Sequence, residues 1–193
     1  MKTCESIVDQ SGILLTRDAM EAGISKPVLY RFIRENGFEQ VAHGVYASQE
    51  AWEDRNYTLS LRCPQGVLSH DEALYHYGLI DREPLWQTIT IYTGYGTSRL
   101  VSDGIKVFTV KKELLNVGRE MVRTVHGHMV PMYDRERTIC DLLRSRNYFE
   151  IQDFQTALKA YARSREKNLN KLTEYAELFH VDRLIHEYMG VLL

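Results

Sequence analysis

The stretch EAGISKPVLYRFIRENG, residues 21–37, admits two readings: a helix that only packs, or a helix that reads DNA. Ser25 is placed to be an N-cap. Pro27 suits a first turn, where its missing N–H would be unpaired anyway, and Asn36-Gly37 supplies a stop. On a wheel of 3.6 residues per turn, Leu29, Phe32 and Ile33 share an inward face, with Val28 near its edge. Lys26, Pro27, Tyr30, Arg31 and Arg34 fall opposite. That outer face carries three cations and a tyrosine but no carboxylate, since Glu35 and Glu39 lie past it, towards the helix end.

The neighbouring sequence gives this helix a context. Residues 3–10 read as a short helix, and Thr16 can cap a second one, RDAMEAG, closed by Gly23. FEQVAHGVYAS then offers two short apolar runs around Ala42-His43-Gly44, the pattern of a small β-hairpin with glycine at its turn. Helix, helix, tight turn, helix, hairpin is the order of a winged helix-turn-helix, expected over residues 1–49. In that motif the helix after the tight turn reaches base edges in the major groove and the hairpin touches backbone or minor groove. Arginine can bond guanine bidentately, lysine can meet guanine or phosphate, and a tyrosine hydroxyl bonds phosphate oxygen. The DNA-binding candidates are therefore Ser25, Lys26, Tyr30, Arg31 and Arg34, with His43 at the wing tip. An ordinary solvated face, or a winged helix used for protein contacts, is the competing reading.

Charge does not decide between them. The 193 residues carry 24 Lys and Arg against 26 Asp and Glu, a net charge of −2. Residues 1–55 hold six basic and nine acidic side chains, and the remainder 18 and 17, so any phosphate-binding surface must be a local patch. The N-terminus lacks a basic start followed by a long apolar run, and no segment approaches the ~18 to 20 apolar residues that span a bilayer. Cys4, Cys63 and Cys140 are far apart and outside any C-x-x-C pattern, so neither a disulfide framework nor a zinc ribbon is indicated. A soluble protein of the reducing cytoplasm is expected.

Residues 50–193 read as a second, mixed α+β domain. A polar-aromatic helix, AWEDRNYTLSLRC, leads away from the wing, and Ser69-His70-Asp71-Glu72 has the spacing of a capping box opening HDEALYHYGL. QTITIYT, IKVFTV and a hairpin MVRTVHGHMVPMY turning at Gly127 predict three or four strands in one small sheet. From Asp134 the pattern is that of a C-terminal helical bundle. It ends on the stripe Val181, Leu184, Ile185, Tyr188, Met189 and Leu192.

Tests for catalytic or metal chemistry give no constellation. His70 and His76 are six apart, about 600° of helical rotation, and so lie on different faces, unlike the two histidines of a zinc-binding H-E-x-x-H. His126-Gly127-His128 reads as a solvated turn. GYGTSR, residues 94–99, has Arg99 where a third phosphate-cradling glycine would stand, and reads as a loop between strands. Asp103 has no second carboxylate two residues away to hold magnesium. Neither a metal nor another cofactor is expected. Residues 135–171 do hold nine Lys or Arg against five Asp or Glu, so a second basic surface through Arg144, Arg146, Arg163, Arg165 and Lys167 stands beside the reading of ordinary solvated helix faces.

Taken in order, LLTRDAMEAGISKPVLYRFIRENGFEQVAHGVYA, VLSHDEALYHYGL, the strand-rich middle and YDRERTICDLL resemble the AbiEi family of antitoxins of type IV toxin–antitoxin systems. The resemblance extends over most of the chain. It implies an N-terminal winged helix-turn-helix that binds inverted repeats in double-stranded promoter DNA and represses its own operon. It also implies a C-terminal domain that counters a nucleotidyltransferase-like toxin. Many members carry a longer C-terminal region. The expected function is thus that of a DNA-binding transcriptional regulator and antitoxin, not an enzyme. The alternative is a protein-interaction module that regulates a partner without touching DNA.

Overall fold

The computed structural model describes residues 4–49, 51 and 54–190. Contacts divide the chain into two compact units, Met1–Pro64 with Arg123–Val130, and Gln65–Val122 with Pro131–Leu193. The fold is mixed α+β, and among the described residues no helix is long and apolar enough to cross a membrane.

The first unit begins with a single 3-10 turn, Cys4–Ile7, in place of the expected helix over residues 3–10. The Asp9 carboxylate cuts it short: Oδ1 accepts the amides of Ser11 and Ile13 and turns the chain into β1 (Ile13–Leu15). α1 (Thr16–Glu21) follows at once. Thr16 is its first residue and not its cap, because Leu15 takes the cap position at the end of the strand; the Thr16 amide bonds Gly44 O and its hydroxyl is buried without a partner. Gly23, at φ +79°, ends α1 in a left-handed turn that a side chain would strain, with Ile24 N–H returning to Ala19 O and Gly23 N–H to Met20 O. α2 (Lys26–Glu35) starts three residues later. β2 (Glu39–Ala42) and β3 (Val45–Ala47) form a hairpin turning at His43-Gly44, and β1 adds to β3 to give an antiparallel sheet ordered β1-β3-β2. Leu14, Ala19, Ile24, Leu29, Ile33 and Tyr46 are buried together between these helices and the sheet. α3 (Arg55–Arg62) is capped by Asp54, whose side chain accepts the Tyr57 amide. Trp52 and Glu53, expected in that helix, lie outside the described residues.

The second unit is built on a sheet ordered β6-β5-β4-β8-β7. Its strands are β4 (Val67–Leu68), β5 (Thr88–Tyr92), β6 (Lys106–Val110), β7 (Arg119–Arg123) and β8 (Met129–Tyr133). Five strands replace the expected three or four. The addition is β4, two residues long, which pairs antiparallel with β5 and parallel with β8. α4 (Asp71–His76) follows β4, and the short α5 (Ser98–Ser102) interrupts the loop that contains GYGTSR. α6 (Arg135–Arg144), α7 (Ile151–Arg163), α8 (Leu169–Leu178) and α9 (Asp182–Met189) complete the unit. Their apolar faces meet in one core with Ile139, Leu142, Leu143, Phe154, Leu158, Tyr161, Leu172 and Phe179 at its centre and Leu184, Ile185 and Tyr188 along its margin. Leu192, expected on the same stripe, and the Met189 side chain lie outside the described residues.

Two motifs of the sequence act as polar cores. Ser69 does not cap α4. Its hydroxyl lies 2.8 Å from Thr90 Oγ1 and 2.9 Å from His70 Nδ1, and His70, at φ +53°, takes the cap position. Thr88 is buried as well, accepting the Glu72 amide and donating to Ser69 O. The alternating threonines of β5 therefore face inward, each with a polar partner. The His70 ring stacks on Phe108 at 3.4 Å between centroids, with Nε2 3.2 Å from Ser145 Oγ.

The stretch DRERT, residues 134–138, opens α6. Asp134 caps the helix through the Arg137 amide and accepts from the Tyr175 hydroxyl and Lys171 Nζ. Glu136 accepts from the Tyr161 hydroxyl and the Asn168 amide, holding α7 and the start of α8. Arg137, fully buried, pairs with Asp141 at 3.0 Å and donates to the carbonyls of Leu114 and Val117. Its guanidinium lies between the rings of Tyr133 and Phe179, 4.0 and 3.8 Å from their centroids. Gly118, at φ +77°, leaves it room: a Cβ there would come within 2.6 Å of Arg137 Cβ.

Arg137→Ala, which leaves the buried Asp141 with only the half-exposed Arg144 as its ion-pair partner and two carbonyls without their donor, should lower stability by about 3 to 5 kcal/mol, read as a fall in the urea midpoint. The Arg137→Met, Asp141→Leu pair should recover part of that loss. Burial lowers the His70 pKa to about 4. The unfolded chain, titrating near 6.5, then binds the extra proton, so stability should fall as pH drops from about 6.5 towards 4, with a limiting slope of roughly 1.4 kcal/mol per pH unit. His70→Asn should flatten that slope in urea titrations across the same window.

Candidate nucleic-acid interface

α2 forms because its apolar residues recur one turn apart and its ends are marked. Ser25 stands at the N-cap in extended conformation and Pro27 occupies the first turn. Past the Asn36 cap, Phe38 N–H returns to Ile33 O. Leu29 and Ile33 are buried, and Phe32 packs against that core with its ring 5.7 Å from Phe38. These contacts fix the rotation of the helix and so decide what it presents outward.

Ser25, Lys26, Tyr30, Arg31 and Arg34 are all exposed, as is His43 at the hairpin turn. Among the described residues, no carboxylate lies within ion-pair distance of Lys26, Arg31 or Arg34. Arg17, by contrast, is paired with its neighbour Asp18 at 3.2 Å. The Tyr30 ring meets the edge of Tyr46 at 6.4 Å, which holds its phenol against the sheet side of the helix. The Ser25 side chain makes no capping hydrogen bond. The first turn of α2 therefore offers uncapped amides at the positive end of the helix dipole, next to Lys26. That is a donor set suited to an anion.

The tip of the β7–β8 hairpin belongs to this unit and corrects the expectation of a solvated turn at His126-Gly127-His128. Gly127 does sit at the turn, but the His128 side chain is 14% exposed, with Nδ1 2.9 Å from Asp54 Oδ2 and Nε2 3.6 Å from Asp9 Oδ2. Its ring stacks on Tyr57 at 3.8 Å. Burial alone would raise the Asp54 carboxyl; hydrogen bonds from Thr124, the Tyr57 amide and His128 outweigh it and hold that carboxyl below the usual range. No local signal announces this cluster, because Asp54 and His128 are 74 residues apart.

In the second unit, the basic stretch is divided. Arg137 is no surface group, Arg135 pairs with Glu166, and Lys171 pairs with Asp134. Arg144 lies 3.3 Å from Asp141 at the last turn of α6, and Arg146 follows in the exposed turn beyond. Arg163 and Arg165 are exposed at the end of α7 and just after it, where Lys167 Nζ bonds Ser164 O. Contacts of Arg135 with Glu166 and of Glu136 with Tyr161 put this second group at the start of α6, some ten residues, or about 15 Å, from Arg144. His76 is exposed at the end of α4, edge-on to Tyr77, apart from the buried His70. Among the described residues, no three His, Cys, Asp or Glu side chains converge as metal ligands.

Residues 5–49 match the family model described as transcriptional regulator, AbiEi antitoxin. The fold is similar to the crystal structure of the RV2827C protein from Mycobacterium tuberculosis, with a TM-score of 0.63 and 15% sequence identity over 88% of this chain and 67% of that one. None of the curated proteins matches the sequence.

His128→Phe keeps a ring against Tyr57 and removes both aspartate contacts. Thermal unfolding should show a loss of about 1 to 3 kcal/mol, and carboxyl NMR should show the Asp54 titration moving upward.

Proposed function

We propose that residues 1–49 form a winged helix-turn-helix domain, that α2 is its recognition helix, and that the β2–β3 hairpin is its wing. The chain then acts as a DNA-binding transcriptional regulator. The observation that carries this reading is the unpaired basic face of α2. Lys26, Arg31 and Arg34 are exposed and, among the described residues, have no acid within ion-pair distance, in a region whose total charge is acidic. Arg31 and Arg34 are assigned to base edges in the major groove. Tyr30, Ser25, Lys26 and the free amides of the first turn are assigned to phosphate, and His43 to the backbone or minor groove beside the wing. The family match over residues 5–49 supports the regulatory role.

The role is one of binding rather than catalysis, and no cofactor is invoked; His70 and His128 are already committed to folding contacts. We further propose that residues 50–193 serve as an antitoxin domain against a nucleotidyltransferase-like toxin, and that the operator is an inverted repeat in the protein's own promoter. The exposed Arg163 and Arg165, with the half-buried Lys167 between α7 and α8, are the part of the second basic surface suited to a partner.

A mobility-shift titration on the protein's own upstream region is the primary test. Binding that survives competitor duplex is expected, and affinity no greater than for random duplex would sink the DNA reading in favour of a protein-interaction module. Arg31→Ala or Arg34→Ala should cost about 1 to 3 kcal/mol with altered sequence preference, whereas Lys26→Ala should weaken all sequences alike and reduce the salt slope by about 0.9. Charge reversal at Arg163 and Arg165 should weaken neutralisation of the toxin in co-expression; if neutralisation and DNA affinity both stay unchanged, that surface has no role.

A further inference from the structure

In the second unit, an open cavity of about 230 Å³ lies between the loop after α4 and the turn that leads into α7. Trp86, Tyr148 and Phe149 supply aromatic walls. Trp86 is 53% exposed and its neighbour Leu85 is 73% exposed, two large apolar side chains left in water side by side.

The charges in this cavity do not balance. Asp71, Glu150 and Asp153 share it with Arg82 and Lys106. Arg82 is taken by two of the acids, with Nη2 2.8 Å from Asp153 and Nη1 3.7 Å from Glu150. Lys106 sits with its ammonium 5.6 Å over the Trp86 ring. Asp71 is the carboxylate without an ion pair: the Tyr148 hydroxyl and its own amide reach the carboxyl, but its Oδ2 is buried with no hydrogen-bond partner. Burial raises its carboxyl above the usual range, against the opposing effect of the Tyr148 hydroxyl.

An indole face that already attracts one cation of the chain, beside a carboxyl that Arg82 influences but does not pair with, is complementary to a further positive group. We propose that this cavity receives an arginine side chain of a partner protein, its guanidinium stacked on Trp86 and hydrogen-bonded to Asp71, with Leu85 packing on the partner's adjoining apolar surface. Arginine fits better than lysine because a planar, weakly hydrated group stacks on a ring and still offers donors at its edge. Tryptophan and arginine are also the side chains that most often anchor protein interfaces. The excess carboxylate disfavours nucleic acid here. The assignment does not depend on α2 binding DNA.

The test uses the full chain with Trp52→Phe, which leaves Trp86 as its one tryptophan. The probe is a capped Gly-Gly-Arg-Gly-Gly peptide, titrated beside its citrulline counterpart and followed by indole fluorescence and the Trp86 indole N–H resonance. Saturable binding of the arginine peptide is expected, with the citrulline peptide about 10-fold weaker or worse, equivalent to the loss of roughly one charge-assisted hydrogen bond. Asp71→Asn should weaken it similarly. Lys106→Gln should tighten it by vacating the indole face. Equal or non-saturating responses to the two peptides overturn the proposal. So does concentration-dependent self-association abolished by Leu85→Ser, which assigns the surface to a second copy. Should Asp71→Asn fail to fold by circular dichroism, the citrulline comparison and the Lys106→Gln arm decide.

Discussion

A guanidinium with no exposure to water has to be neutralised where it sits, and Arg137 organises the second unit around that requirement. Removing such an ion from water is unfavourable by several kcal/mol even after relaxation, so every neighbour must supply charge, dipole or ring. Asp141 does so from one turn further along the same helix. The carbonyls of Leu114 and Val117 come from the irregular segment between β6 and β7, and the rings come from β8 and the end of α8. Segments far apart in the chain are thereby brought together around one guanidinium, of which Nε and Nη1 are hydrogen-bonded and Nη2 faces its neighbours without a hydrogen-bond partner. Asp134 and Glu136 extend the arrangement, each joining the start of α6 to α8 or α7 through oxygens that ordinary packing would leave unsatisfied.

This explains why charge counting misleads over residues 135–171. A run of arginines in a helical pattern reads as a solvated face or a nucleic-acid surface, because composition reports the sign of a side chain and not its surroundings. Arg137, Arg135 and Lys171 are cations of the interior or its margin. The same blindness applied to Ser69, whose spacing from Glu72 matches a capping box. In the fold, Thr90 and His70 take its hydroxyl inside the unit, where it would otherwise be unpaired, and the Thr88 hydroxyl accepts the Glu72 amide at the helix start in its place.

Where local patterning suffices, the sequence was legible. The period of Leu29, Phe32 and Ile33 gave both the helix and its exposed face, and alternation with a glycine turn gave the hairpins. β1 and β4, three and two residues long, are too short for any period to register; they exist because neighbouring strands offer them hydrogen-bonding edges. The Asp54–His128 contact was invisible for a different reason. Its partners become neighbours only after the sheet of the other unit has led the chain out into the β7–β8 hairpin and back.

That hairpin has a temporal consequence. The first unit is discontinuous in sequence, because residues 123–130 supply His128 and Thr124 to Asp54. A ribosome adding about 5 to 20 residues per second would pass residue 64 roughly 3 to 13 seconds before reaching residue 130. Throughout that interval the Asp54 carboxylate lacks the side chains that will hold it. Completion of the first unit therefore waits on emergence of residues 123–130, although the residues of its apolar core are made before then.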